Sequence, residues 1–281
     1  MVNKLVEQGY TVEVFDKAKP LREDVRWLKG DLMNDEDVLL ACKDAQVIFH
    51  LAAVSDVNRA LSRTEMCVEV NENGTVKLLK AAVAGEVERI VLASTTWVYG
   101  NSKVNVDEST PIPMPDHIYT KSKLGQEHLV HTWYTHYGFP YTILRYGIPY
   151  GPKMRSNMAI SIFVRKVLRR EPITVFGDGN QGRCFIYVED LAEGNVSALK
   201  GNGRNEIFNL AGKEFVTLNQ VVDNLRQIFG EIDVRYDNSR SNDFKGVVVD
   251  IKKAKSLLGW EPKTPFEVGL RKYLEYIKNN G

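Results

Sequence analysis

The sequence predicts an α/β fold, a doubly wound parallel sheet with a smaller α/β lobe interleaved behind it. Three observations carry this. Short, nearly continuous apolar runs alternate with amphipathic stretches through the first half of the chain. Parallel strands covered by helices on both faces have that pattern, because neither face meets water. After Pro152 the rhythm loosens into shorter segments. The 281 residues, 43% of them hydrophobic, are enough for one large or two small domains around a substantial core. We therefore expect a first domain over residues 1–152 and a second lobe over residues 153–281.

The elements follow in order. Residues 2–8 read as the end of a helix closed by Gly9. Strands are expected at 11–15, 25–28, 46–51, 89–93 and 141–145, where the apolar runs fall. Helices are expected between them at 35–42, 65–83 and 118–137, where the pattern is amphipathic. Beyond Pro152 come a helix at 157–169, a strand at 172–176, a helix at 191–199, a strand at 206–210 and a helix at 218–229. Small strands at 234–236 and 247–249 precede helices at 252–258 and 266–278. The stop signal Gly259-Trp-Glu-Pro262 separates the last two.

A doubly wound nucleotide fold normally opens with a strand, a glycine-rich turn and a helix. Here no strand precedes residues 11–15, and neither G-x-G-x-x-G nor G-x-x-G-x-x-G occurs. The expectation is a central strand of about 5–6 residues missing together with its pyrophosphate-binding turn. A fragment or a mis-assigned start accounts for this better than a natural truncation, because the sheet needs its central strand.

The composition excludes several classes. A net charge of +1 with 26% charged residues gives no reason to expect nucleic acid or a membrane surface as partner. No apolar run approaches the roughly 18 residues that span a bilayer, and no signal peptide opens the chain. Cys42, Cys67 and Cys184 are odd in number and widely spaced, unlike a disulfide framework or a metal site. The expected compartment is the cytoplasm, and the two Asn-x-Ser/Thr matches read as chance.

The chemistry centres on Tyr119-Thr-Lys-Ser-Lys123. On a helix, Tyr119 and Lys123 share one face. An ammonium beside a phenol favours the phenolate, so Tyr119 is expected below its ordinary pKa of about 10 and suited to act as a base on an alcohol. The alternative is a solvated helix face. Asp16, at the end of a strand, reads either as an acceptor for ribose hydroxyls or as a turn aspartate. Asp31, in Gly30-Asp-Leu32, reads either as a partner for the adenine amino group or as a turn residue. Ala52 and Ala53, after the strand at 46–51, allow a flat cofactor to approach the backbone. His50 reads as a packed strand residue rather than a ligand or base. Asn71 either braces the sheet near a cofactor or faces solvent. Ser94 and Thr95 close a strand at the carboxyl edge where such sheets bind ligands, or form a Ser/Thr turn.

In order along the chain stand Gly30-Asp-Leu32, His50-Leu-Ala-Ala53, Asn71-Glu-Asn-Gly74, Ala93-Ser-Thr-Thr-Trp-Val-Tyr-Gly100 and Tyr119-x-x-x-Lys123. Leu144-Arg-Tyr-Gly-Ile-Pro-Tyr-Gly-Pro152, Phe176-Gly-Asp-Gly179, Arg183-Cys-Phe-Ile-Tyr-Val-Glu-Asp190 and Leu257-Leu-Gly-Trp-Glu-Pro262 follow. This ordered set resembles the extended short-chain dehydrogenase/reductases of the nucleotide-sugar epimerase/dehydratase group, in particular the UDP-glucose 4-epimerase-like members, over nearly the whole chain. The resemblance implies a Rossmann-like sheet, NAD as cofactor, a nucleotide-diphosphate sugar as substrate and a homodimer. It implies Tyr119 as the catalytic base, Lys123 as the lysine that tunes it and holds the nicotinamide ribose, and Thr95 as the catalytic hydroxyl. Asp16, Asp31, Leu32, Leu51, Ala52, Ala53, Asn71, Ser94 and Tyr146, with Tyr119 and Lys123, are implied at the cofactor. Thr95, Ile148, Arg183 and Arg240 are implied at the substrate, the two arginines gripping its diphosphate. Thr96 and Trp97 stand where 4,6-dehydratases of this group carry an acid pair, which argues against dehydration. Ile148 stands where asparagine is usual, so the resemblance does not name the sugar.

Overall fold

The computed structural model describes residues 1–102, 105–238 and 245–280. Helix α1 (Val2–Glu7) ends at Gly9, whose φ of 84° suits a residue without a Cβ. Strands β1 (Glu13–Asp16) and β2 (Arg26–Lys29) pair in parallel, Glu13 opposite Arg26. Helix α2 (Asp35–Cys42) starts where the Asn34 side chain accepts hydrogen bonds from the amides of Glu36 and Asp37, and its acidic first turn suits the helix dipole. Strand β3 (Val47–His50) leads through α3 (Val57–Ser62) into a helix in two parts, α4 (Thr64–Val68) and α5 (Gly74–Ala84). A π-helical turn, Glu69–Asn73, joins them. The helix expected at 65–83 thus carries a widened turn at its middle.

Strand β4 (Arg89–Thr95) is buried at all seven positions, as a central parallel strand must be. Helix α6 (Ile118–Tyr137) crosses over to β5 (Tyr141–Tyr146) and ends at Gly138 in the left-handed conformation. The remaining elements are β6 (Ile148–Tyr150), α7 (Ala159–Leu168), β7 (Ile173–Phe176), β8 (Gly182–Arg183), β9 (Phe185–Tyr187) and α8 (Val188–Ser197). After them come β10 (Glu206–Leu210), β11 (Val216–Thr217), α9 (Leu218–Phe229), β12 (Val234–Asp237) and α10 (Phe266–Asn280).

The main sheet has the order β10-β5-β4-β3, every pair parallel. Its last strand comes from beyond Pro152, so the two parts of the chain interleave. The β1–β2 pair stands apart: among the described residues no backbone hydrogen bond joins it to β3. A doubly wound sheet places its first strand between the second and the fourth, and the break falls at that place.

Alternation along β4 sends Ile90 and Leu92 to one face and Val91 to the other. The first face packs on Val38 of α2, Leu79 of α5 and Val130 of α6. The second packs with Leu144, Phe208 and Trp260. A separate core lies among α7, α9 and α10, around Val164, Leu225 and Leu270.

Several local expectations change. Residues 247–249 form no strand; Val249 makes one parallel bridge to Val106. The helix expected at 252–258 becomes a π-helical turn at Ala254–Leu258. The short strands β6, β8, β9 and β11 were not expected, because two or three residues carry no readable period.

Candidate active site

The functional groups gather where β4 ends and α6 begins. The Thr95 hydroxyl caps the short turn that follows β4, accepting from the Trp97 amide at 3.2 Å. The same hydroxyl lies by the Tyr119 side chain and favours its phenolate. One helical turn further along α6, Lys123 is buried and donates to the Ala93 carbonyl and to Gln126 Oε1, both at 2.8 Å. Burial lowers its pKa to about 8, against the opposing pull of the Glu127 carboxylate.

Tyr119 corrects the expectation of a depressed pKa. Burial of its hydroxyl pushes it up to about 12, and the neighbouring Thr95 hydroxyl and the Arg155 charge only partly offset this. The physical reason is desolvation of the phenolate, which outweighs these attractions. Lys123, one helical turn on, is buried, and its two hydrogen bonds run to Ala93 and Gln126.

Behind this edge lies a buried ionic cluster. Ser94 Oγ donates to Glu127 Oε1 at 2.5 Å. Arg145 donates to both Glu127 oxygens, at 3.1 and 2.7 Å, and to the Tyr99 hydroxyl at 3.0 Å. Tyr99 in turn donates to Asn209 Oδ1 at 2.8 Å. The Ser94 hydroxyl is therefore engaged with Glu127 rather than offered to a cofactor.

The other residues implied at the cofactor divide into two groups. Asp16, at the end of β1, is exposed and accepts from the Ala18 amide at 2.8 Å. Asp31 is paired with Lys17 at 2.7 Å, which holds its carboxyl below the usual range. A crevice bounded by Lys17, Lys29, Gly30, Asp31 and Asp37 opens beside these carboxylates. Leu51 and Ala52 lie exposed just past β3, and Ala53 is half-buried.

Leu32 and Tyr146 are engaged with the protein itself, and Asn71 takes the bracing role, one of the two readings of its position. Asn71 is fully buried: its side-chain oxygen accepts from the Val54 amide at 2.7 Å, and its NH2 group donates to the Val54 carbonyl and to Ser122 Oγ. It braces the loop after β3 rather than facing the crevice. The Leu32 side chain is in the core, packed on Gly74, where a Cβ would meet Leu32 Cδ2 at 2.8 Å. The Tyr146 hydroxyl donates to Asn195 at 2.5 Å, so only its ring is left for a ligand.

On the substrate side, Arg183 lies on β8 with its guanidinium 5.8 Å from the Trp97 ring, and Ile148 pairs with Phe185 between β6 and β9. Arg240 lies outside the described residues. His50 is the packed residue expected: it is buried, hydrogen-bonded to Thr75, and pushed down to about 3 by burial and then by Lys123.

Sequence reasoning missed Gln126, Glu127, Arg145 and Arg155. The sequence signal for Glu127 was its spacing of four from Lys123, which puts both on one helix face. Arg155, held at Ser55 and Asp56, gave no such signal, because the loop after β3 brings it towards Tyr119.

The residues present fit NAD. Carboxylates at the ends of β1 and β2 suit ribose and adenine donors, and small exposed residues follow β3. The third Lys123 proton has no acceptor among the hydrogen bonds described and is free for a ribose hydroxyl. Among the described residues no three potential metal ligands cluster, and no helix is long and apolar enough to cross a membrane.

Comparison with known proteins agrees. Residues 1–211 match the model of the NAD dependent epimerase/dehydratase family. The UDP-glucuronate 4-epimerase of Thermodesulfobacterium geofontis is 36% identical over 235 residues, 83% of this chain and 72% of that protein. A putative UDP-glucose 4-epimerase of Methanocaldococcus jannaschii is 32% identical across 100% of this chain and 94% of its own length. The crystal structure of the UDP-glucose 4-epimerase of Thermotoga maritima with UDP-glucose superposes with a TM-score of 0.92 at 30% identity, covering 99% of this chain and 94% of that one. That of the UDP-glucuronic acid 4-epimerase of Bacillus cereus with UDP-glucuronic acid and NAD gives 0.91 at 29%, with the same coverage. The fold, the Tyr/Lys edge and these matches together show that the chain belongs to the NAD-dependent epimerase/dehydratase family.

Proposed function

We propose that the chain is an epimerase of a nucleotide-diphosphate sugar, working by transient oxidation at C4. The observation that carries this is the meeting of Tyr119 with Thr95, whose hydroxyl favours the phenolate, at the carboxyl edge of the sheet, with Lys123 one turn further along α6. NAD, when bound, takes up a hydride and returns it. Tyr119 removes the proton from the C4 hydroxyl, and Thr95 shares the hydrogen bond to that oxygen. Lys123, as ammonium, stabilises the phenolate that burial alone disfavours. Arg183 and Arg240 anchor the diphosphate while the 4-keto sugar turns over, and Ile148 borders the sugar. The proton then returns from Tyr119 to the C4 oxygen. Thr96 and Trp97 supply no carboxylic acid, which favours epimerisation over elimination. We read the enzyme as a cytoplasmic homodimer.

The test is incubation of the chain with UDP-glucose and NAD. Formation of UDP-galactose without accumulation of NADH supports the proposal. Accumulating NADH means net oxidation, and failure to bind millimolar NAD with intact folding means a non-catalytic binding protein.

A second reading concerns the sugar. The Arg155 charge reaches the hydroxyl of Tyr119, and the 36%-identical relative is a UDP-glucuronate 4-epimerase. Both favour a sugar with a carboxylate at C6. Turnover of UDP-glucuronate at least tenfold faster than of UDP-glucose would select this reading.

A further inference from the structure

We propose that Gln126 is a positioning residue that holds the Lys123 ammonium against the end of β4 through a one-way chain of hydrogen bonds ending on the π-helical turn between α4 and α5. The inference rests on the catalytic reading of Tyr119 and Lys123. Lys123 donates to Gln126 Oε1 at 2.8 Å, which fixes the Gln126 amide with its NH2 group pointing away from the lysine. That NH2 group donates to Thr75 Oγ1 at 2.7 Å. Thr75 passes its single proton to the Asn71 carbonyl at 2.6 Å. His50 Nε2 lies 2.9 Å from the same oxygen. Gln126 Nε2 lies 3.2 Å from that ring nitrogen.

Every dipole in this chain points the same way, with the lysine at the donor end. The arrangement accepts a proton donor and has no reverse form without rotating the Gln126 amide. Both acceptors, the Ala93 carbonyl and Gln126 Oε1, turn the negative ends of their dipoles to the amine, which favours its charged form. A neutral His50 is required, since a second charge here would face Lys123. The π-helical turn is the anchor at the far end. Asn71 sits within it, with its carbonyl holding Thr75 and its side chain holding Ser122 of α6. Lys123 is thus gripped on both sides along α6, at Ser122 and at Gln126. Widened turns of this kind recur at functional sites.

The charged and titratable groups around the amine are few. Glu127 and Tyr119 share its helix, with Glu127 already paired to Arg145 of β5. Cys67 of α4 and His50 of β3 lie nearby. From β4 it meets the Ala93 carbonyl.

The test is 15N-lysine NMR of the full chain across pH 6–11, with the Lys123 signal assigned by its loss in Lys123→Met. The expected midpoint lies near 8 in the unmodified chain. Gln126→Leu removes the acceptor and should lower the midpoint by about one pH unit, whereas Gln126→Glu adds a carboxylate and should raise it by a similar amount. The alkaline limb of the turnover profile should move in the same directions. If Gln126→Leu does not fold, the Gln126→Glu shift alone decides. Midpoints unchanged in the folded variants, or turnover lowered equally at every pH, overturn the proposal and leave Gln126 a packing residue. Shifted midpoints in a chain that epimerises no nucleotide sugar support the positioning role while removing the proposed function.

Discussion

Glu127 and Arg145 form a doubly hydrogen-bonded ion pair, 3.1 and 2.7 Å, with each side chain only 5% exposed. It ties α6 to β5 directly behind the catalytic edge. Removing one partner of such a pair strands the other charge out of water, which costs about 3–5 kcal/mol. Glu127→Leu should therefore be strongly destabilised in urea denaturation. The double variant Glu127→Leu/Arg145→Met should recover most of that loss, since no buried charge remains. A double variant as unstable as the single would show that packing, not charge, sets the cost.

Tyr119→Phe should bind a UDP-sugar with near-normal affinity while turnover falls by a factor of about 100 or more. Calorimetry and a product assay separate the two effects. Retained turnover would remove Tyr119 from the reaction.

Burial depresses the pKa of His50 from 6.5 to about 3. A depressed folded value means that the unfolded chain binds the extra proton first. The contribution to stability is complete above pH 6.5 and is lost as pH falls towards 3, with a slope approaching about 1.4 kcal/mol per pH unit. His50→Gln should flatten that part of the stability–pH curve. An identical curve in the variant would show that His50 takes up its proton as readily in the fold as in the unfolded chain.

The buried Asn71 amide holds the loop after β3 through both polar groups of Val54. Asn71→Leu leaves those groups without partners, at about 1–3 kcal/mol. NAD binding, measured by fluorescence titration, should weaken about tenfold, with a lesser change in sugar-nucleotide affinity. Unchanged NAD affinity would mean that the loop position does not govern the cofactor.

The parallel core strands β3, β4 and β5 were legible within one or two residues because each is a long apolar run flanked by helical patterns. Helix α6 matched its expected bounds, with Gly138 marking its end. Strands β8 and β11 were not legible, because two-residue pairings depend on a partner far along the chain. The π-helical turn was invisible for a related reason: its apolar spacing is close to that of an ordinary helix.

By itself the sequence determined the alternation of the sheet, the placement of Tyr119 and Lys123 on one helical face, and the absence of a carboxylate pair after Thr95. Periodicity and local spacing encode such features. Only the tertiary structure decided that Tyr119 is held well above its ordinary pKa, that Ser94 and Asn71 face inward, and that Lys123 leans on Gln126. Those outcomes depend on burial and on how distant segments pack, as where Ser94 meets Glu127 of α6, and no local pattern records how much water a folded chain excludes.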